Sequence, residues 1–128
     1  MKVPRKQRAA ASGSRLAAVD ALRDLVIDSL ENAKAVDAAV ISLAGKSSIA
    51  DYMIIASGTS SRHVSAVADQ LGRRLRENAV KGVTMEGELQ GDWVLIDAGD
   101  IIIHLFRPEV REFYGLEKMW GPAGPGGA

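Results

Sequence analysis

Trp93-Val94-Leu95-Ile96-Asp97-Ala98-Gly99-Asp100-Ile101-Ile102-Ile103-His104-Leu105-Phe106 is the stretch on which the fold turns. Two apolar runs rich in strand-forming residues flank Gly99, a pattern that predicts a β-hairpin with strands over 93–98 and 101–106. Side chains alternate along a strand, so Trp93, Leu95 and Asp97 share one face and Val94 and Ile96 the other. On the second strand Ile101, Ile103 and Leu105 share a face, opposite Ile102, His104 and Phe106. A two- or four-residue turn pairs Ile96 with Ile101 and Val94 with Ile103. One hairpin face is then wholly aliphatic and requires cover by helices. The other sets Trp93 opposite His104 and Leu95 opposite Ile102, with Asp97 near Asp100 and Phe106 beyond. That face is either a second covered surface with His104 satisfied inside, or a partner patch with Trp93 as its anchor and the aspartates on its rim.

Working outward, Tyr52–Ser57 (YMIIAS) is a near-continuous apolar run, as expected of a strand buried on both faces. Ala38–Leu43 (AAVISL) is a short strand, and the Gly/Ser-containing residues 44–51 between the two are loop. Gly58-Thr59-Ser60-Ser61 opens a helix, with Ser60 or Ser61 as its N-cap. Val64, Val67, Ala68, Leu71 and Leu75 form the buried stripe of that helix. A strand follows at about Val83–Gly87, so that strand, helix and strand suggest a right-handed parallel crossover. Upstream, Val19, Leu22, Val26 and Leu30 mark a first helix over Leu16–Asn32, with Asp20, Asp24, Asp28 and Glu31 on its outer surface. Pro108 begins a short last helix carrying Val110, Phe113, Tyr114, Leu116 and Trp120. The order α-β-β-α-β-β-β-α implies an α/β layer fold with a mixed sheet of about five strands.

The 128 residues suit one domain, expected over residues 15–120, with a disordered basic tail at 1–14 and a flexible Gly/Pro tail at 121–128. The net charge is zero, with 16 basic and 16 acidic residues, but Lys2, Arg5, Lys6, Arg8 and Arg15 stand before Leu16 without an acid among them. The body therefore carries an excess of acid. That disfavours a broad phosphate-gripping face and specific nucleic-acid binding, and suits a basic protein partner. With no Cys there is no disulfide framework, Cys-ligated zinc, iron–sulfur cluster or thiol nucleophile. No apolar run reaches the ~20 residues of a membrane span, and no apolar segment follows the N-terminal charges as in a secretory signal.

Signals for catalysis are sparse. His63 and His104 lack metal-ligand spacing, and no local signature supports a Ser-His-Asp triad. Gly58–Ser61 before a helix has the form of a phosphate cradle and of the Gly-Ser opening of nucleotidyltransferases, but the same residues make an ordinary helix cap. Glu86 and Glu88 have the alternate spacing of a metal-holding pair, yet Gly87 and Leu89-Gln90-Gly91 look like a strand end. Asp97 and Asp100 flank a turn, where acids are common. No catalytic residue, metal or cofactor is expected. The alternative is a nucleotide-binding or nucleotidyl-transferring enzyme using the Gly58–Ser61 turn.

Three segments together resemble the Iojap-related ribosomal silencing factors. They are Gly45-Lys-Ser-Ser-Ile-Ala-Asp-Tyr-Met-Ile-Ile-Ala-Ser-Gly-Thr-Ser-Ser-Arg-His-Val64, then Glu86-Gly87 with Asp92–Phe106, and Tyr114-Gly-Leu-Glu-Lys-Met-Trp120. The resemblance spans residues 16–120 and omits the tails. It implies a nucleotidyltransferase-like α/β fold without established transferase activity. It also implies a cytoplasmic protein that binds the large ribosomal subunit at its conserved protein numbered fourteen, blocks an inter-subunit bridge, and represses translation when nutrients run low. The implied mechanism is steric. On this resemblance Trp93 belongs to the partner-facing patch, with Leu95, Asp97, His104 and Phe106 as neighbours and Asp100 at the rim. Tyr114, Glu117 and Trp120 match the family's C-terminal segment, as helix packing first and contacts second. A homodimer formed through the Trp93 face is a further possibility.

Overall fold

A computed structural model describes residues 12–43 and 45–115. Its elements are α1 (Ser12–Asn32), β1 (Val36–Ser42), β2 (Tyr52–Ser57), α2 (Ser61–Glu77), β3 (Thr84–Glu86), β4 (Trp93–Asp97), β5 (Ile101–Phe106) and α3 (Pro108–Tyr114). This is the expected order. The two tails other than Ser12–Ser14, together with Leu116, Glu117 and Trp120, lie outside the described residues. Residues 12–14, expected in the tail, are instead the first turn of α1. Adding residues to an existing helix is cheap once it is nucleated, and no proline interrupts this end.

The five strands form one sheet in the order β1-β2-β5-β4-β3. The two most apolar strands, β2 and β5, pair in parallel at its centre, and every other pairing is antiparallel. The crossover expected between β2 and β3 holds in direction only. The two strands run the same way, but the β4–β5 hairpin lies between them. β3 has only three residues, and both Thr84 and Glu86 are exposed, so it suits an edge better than a position next to β2.

The hairpin register differs from expectation by two residues. Ile96 pairs with Ile103 rather than Ile101, and Trp93 pairs with Phe106 rather than His104. His104 lies opposite Leu95, and Ile102 opposite Asp97. Turn chemistry explains the shift. The loop is Gly99-Asp100, closed by the Ala98 N–H donating to the Ile101 carbonyl at 2.9 Å. Gly99 takes φ +89° in the first loop position. The expected register would have put Ala98 there, where two-residue hairpin loops require a positive φ that costs a non-glycine residue about 1–2 kcal/mol. Because the shift is even, every side chain stays on its expected face.

On the aliphatic face, Val94, Ile96, Ile101, Ile103 and Leu105 pack beneath Val26 and Leu30 of α1 and Val64, Leu71 and Leu75 of α2, all buried. Fully burying each such chain contributes about 1.5–3 kcal/mol, so this layer dominates the stability. Both helices end in a left-handed residue that is not glycine. Lys34 has φ +63° and Ala79 φ +59°. The N–H groups of Ala35 and Val80 reach back to the carbonyls of Leu30 and Leu75, each at 2.9 Å, and satisfy the helix ends.

Candidate docking surface

The opposite sheet face carries a smaller core of Leu43, Ala50, Met53, Ile55 and Phe106, with Ile41, Trp93, Ile102 and Val110 packed at its margin. The loop after β1 and the helix α3 supply Leu43, Ala50 and Val110, and so cover the β2–β5 half. The β4 half is left partly open. Trp93, Leu95 and Asp97, on alternate positions of β4, are all half-buried. Phe106 is fully buried, so in this arrangement it offers no surface to a partner and instead supports Trp93, whose ring meets it edge-on at 5.0 Å.

His104 is 8% exposed, and its Nδ1 accepts the Trp93 indole N–H at 3.0 Å. That bond sets the tautomer, placing the proton of the neutral ring on Nε2. Burial lowers the His104 pKa from 6.5 to about 4, because the charged ring would lose its hydration. A neutral imidazole is therefore built into the platform under Trp93. The sequence left open whether His104 was a satisfied core histidine or a contact, and its burial and its bond to Trp93 match the first.

The six residues singled out on this face do not converge on one point. Trp93, His104 and Phe106 cluster at the start of β4, Leu95 lies midway, and Asp97 and Asp100 sit about the hairpin turn. Four residues of strand place Asp97 roughly 13 Å from Trp93. Asp97 Oδ1 accepts the Gly99 N–H at 2.9 Å, and the Asp100 carbonyl accepts the Asp51 N–H at 2.8 Å. Asp97 thus braces the turn with its side chain, and Asp100 ties the turn to the loop before β2 through its backbone carbonyl.

A further acid at this groove comes from elsewhere. Glu86 on β3 pairs with Leu95, and Glu86, Gly87, Trp93 and Leu95 line an open groove of about 290 Å³. In the sequence Glu86 stands out as one of a possible metal-holding pair and as part of the family resemblance, not as a member of the partner patch. Its place beside Leu95 depends on a strand pairing that no local pattern announces. Among the described residues no group of three or more His, Asp or Glu could hold a metal ion.

The Gly58–Ser61 turn is a helix cap. Ser60 has extended backbone and its Oγ accepts the His63 N–H at 3.1 Å. The Gly58 N–H donates to the Phe106 carbonyl at 2.9 Å, and the Thr59 N–H to His63 Nδ1 at 2.9 Å. A Cβ on Gly58 would lie 2.7 Å from Val64 Cγ2, so the turn packs directly onto its own helix. Three of the N–H groups that would cradle a phosphate are already used within the chain.

The sequence pattern described as "Ribosomal silencing factor during starvation" matches residues 17–126. A protein of Zymomonas mobilis named ribosomal silencing factor RsfS is 60% identical over 100 residues, which span 78% of this chain and 75% of that protein. A mouse protein named for mitochondrial assembly of the ribosomal large subunit is 36% identical over 100 residues, covering 76% of this chain and 44% of its own length. A Chromobacterium violaceum crystal structure superposes with a TM-score of 0.78 at 37% identity, covering 80% of this chain and 85% of that one. The chain belongs to the Iojap-related family of ribosomal silencing factors.

Proposed function

We propose that the chain binds the large ribosomal subunit at its conserved protein numbered fourteen, through the open β4 half of the second sheet face. The bound protein then occupies the place of an inter-subunit bridge, keeps the subunits apart and lowers translation under nutrient limitation. It acts in the cytoplasm by obstruction, without chemistry of its own. The observation that carries this reading is the groove of Trp93 and Leu95 edged by Glu86. It is a half-open apolar strip with an acidic margin, on a body whose acids outnumber its bases. Such a strip suits a basic protein surface with an apolar centre. The relatives' names point to the ribosome, and the mouse relative's to the large subunit.

Sucrose-gradient sedimentation tests the proposal. Stoichiometric chain added to purified subunits under starvation-like conditions should co-sediment with the large subunit and deplete joined ribosomes. Unchanged joining would end the reading. Crosslinking within the co-sedimenting complex should join a residue of the groove to the protein numbered fourteen. The nucleotide-transferring alternative predicts magnesium-dependent turnover that is lost in Ser60→Ala/Glu86→Ala, and the internal use of the turn's N–H groups weighs against it.

A further inference from the structure

Leu89 is 91% exposed, far beyond the other exposed large apolar side chains among the described residues, Val36 at 37%, Val40 at 40% and Ile49 at 65%. A lone surface leucine needs no explanation, but the loop that carries this one is held from both sides. At its start, Gly87 has φ +88° and a Cβ there would lie 2.1 Å from the Trp93 carbonyl oxygen, so the loop leaves from directly against the backbone of the proposed anchor. At its end, Gly91 has φ +70°, and a Cβ would lie 2.2 Å from the Ser61 carbonyl oxygen. The Gly91 N–H donates to the Gly87 carbonyl at 3.1 Å, and Ser65 Oγ donates to the Glu88 carbonyl at 2.6 Å. Ser61 Oγ donates to Asp92 Oδ1 at 3.1 Å, and Asp92 is ion-paired with Arg107 at 2.9 Å. The stems are fastened to β4 and to the first turn of α2, while the tip stands in solvent. Two glycines at positions that admit no Cβ are what a fixed protrusion requires.

We infer that Leu89 is a preformed knob that enters an apolar socket on a basic protein surface, extending the Trp93 groove across the loop of residues 87–91. This rests on the docking surface proposed above and names a second anchor for it. Pinning the loop beforehand removes much of the ordering cost of binding. Gly87 lines the Trp93 groove itself, so knob and groove form one footprint. Glu86 and Glu88, both exposed, flank the tip. They repel phosphates and favour Lys or Arg around the socket, and a leucine offers no ring for a base to stack on. The partner at this point is therefore protein rather than RNA.

The test is a titration of purified large ribosomal subunits with the full chain, as wild type, Leu89→Ala, Leu89→Met and Trp93→Ala, each also melted thermally. Leu89→Ala should melt like wild type and bind about tenfold more weakly, and tenfold is 1.4 kcal/mol. Leu89→Met should bind nearly as wild type. Wild-type affinity in Leu89→Ala beside weakened Trp93→Ala would overturn the knob and leave the docking surface standing. Absence of binding by the wild-type chain would overturn both. The same tenfold loss on protein-free ribosomal RNA from those subunits would make the partner RNA and refute the inference. So would a wild-type dimer that Leu89→Ala converts to monomer, since a second copy would then be the occupant.

Discussion

Acidification should loosen the platform under Trp93, and the size of the effect follows from His104. Its ring is buried, and its pKa is lowered to about 4 from the 6.5 of an ordinary histidine. Above pH 6.5 the ring is neutral in both the folded and the unfolded chain, so its contribution to stability is fully present. As the pH falls below 6.5 the unfolded chain takes up a proton that the folded chain refuses, and stability declines until the folded ring protonates near pH 4. A difference of 2.5 units between 6.5 and 4 corresponds to a full loss of roughly 3.4 kcal/mol, of which about 2 kcal/mol is gone by pH 5. Protonation also puts a hydrogen on Nδ1, the atom that accepts the Trp93 indole N–H, so the bond at 3.0 Å cannot persist in the charged state. The assay is urea denaturation at pH 8, 6.5 and 5 for the wild type and for His104→Phe, with the histidine ring signals followed by NMR. The variant removes the acceptor of the bond at His104 and should be less stable at pH 8, but its decline from pH 8 to pH 5 should be about 2 kcal/mol smaller than the wild type's. Equal declines in the two proteins, or a His104 ring that titrates near 6.5 in the folded state, would refute the reasoning.

Trp93→Ala should act on two measurements. Losing a half-buried ring costs about 2 kcal/mol of folding stability, below the 3–5 of a fully buried aromatic, and a comparable 2 kcal/mol in large-subunit binding. Denaturation and binding titrations on one preparation separate these, and a loss confined to stability would remove Trp93 from the surface. Ile103→Ala, on the buried aliphatic face, should cost about 2–5 kcal/mol of stability, with the folded fraction binding normally. Gly91→Ala places a methyl against the Ser61 carbonyl at a left-handed φ, and should lower the melting temperature by several degrees. Ala79→Gly relieves the left-handed Ala79 at the end of α2 and should raise stability by about 0.5–1 kcal/mol in urea denaturation.

Much of the fold is legible in the chain because its signals are local. The α2 stripe from Val64 to Leu75 and the Ser60 cap each need only a few neighbouring residues to be read, and both stand as expected. The continuous apolar run of β2 marks a central strand for the same reason. The docking surface is less legible. Trp93 and Leu95 are found by alternation alone, but Glu86 comes beside Leu95 through the pairing of β3 with β4. Phe106 looks equivalent to Trp93 in the alternation. Only the cover provided by the loop after β1 and by α3 makes one fully buried and the other half-exposed.

The amino-acid order by itself determines which face of each strand every side chain occupies, because a period of two is a property of consecutive residues. Alternation leaves the register free in steps of two. Ile101, Ile103 and Leu105 are nearly interchangeable as partners for Val94 and Ile96, so the hydrophobic pattern hardly distinguishes one even shift from the next. That choice is made within the turn, where Gly99 supplies the positive φ required and its N–H is tied to Asp97, and the tertiary structure decides what lies beyond the hairpin. It also sets the strand order β1-β2-β5-β4-β3, and with it the part of the second face that stays open. The strand order depends on contacts between distant residues, whose free energies belong to the assembled sheet and to no segment alone, whereas the register turns on the local φ required at Gly99.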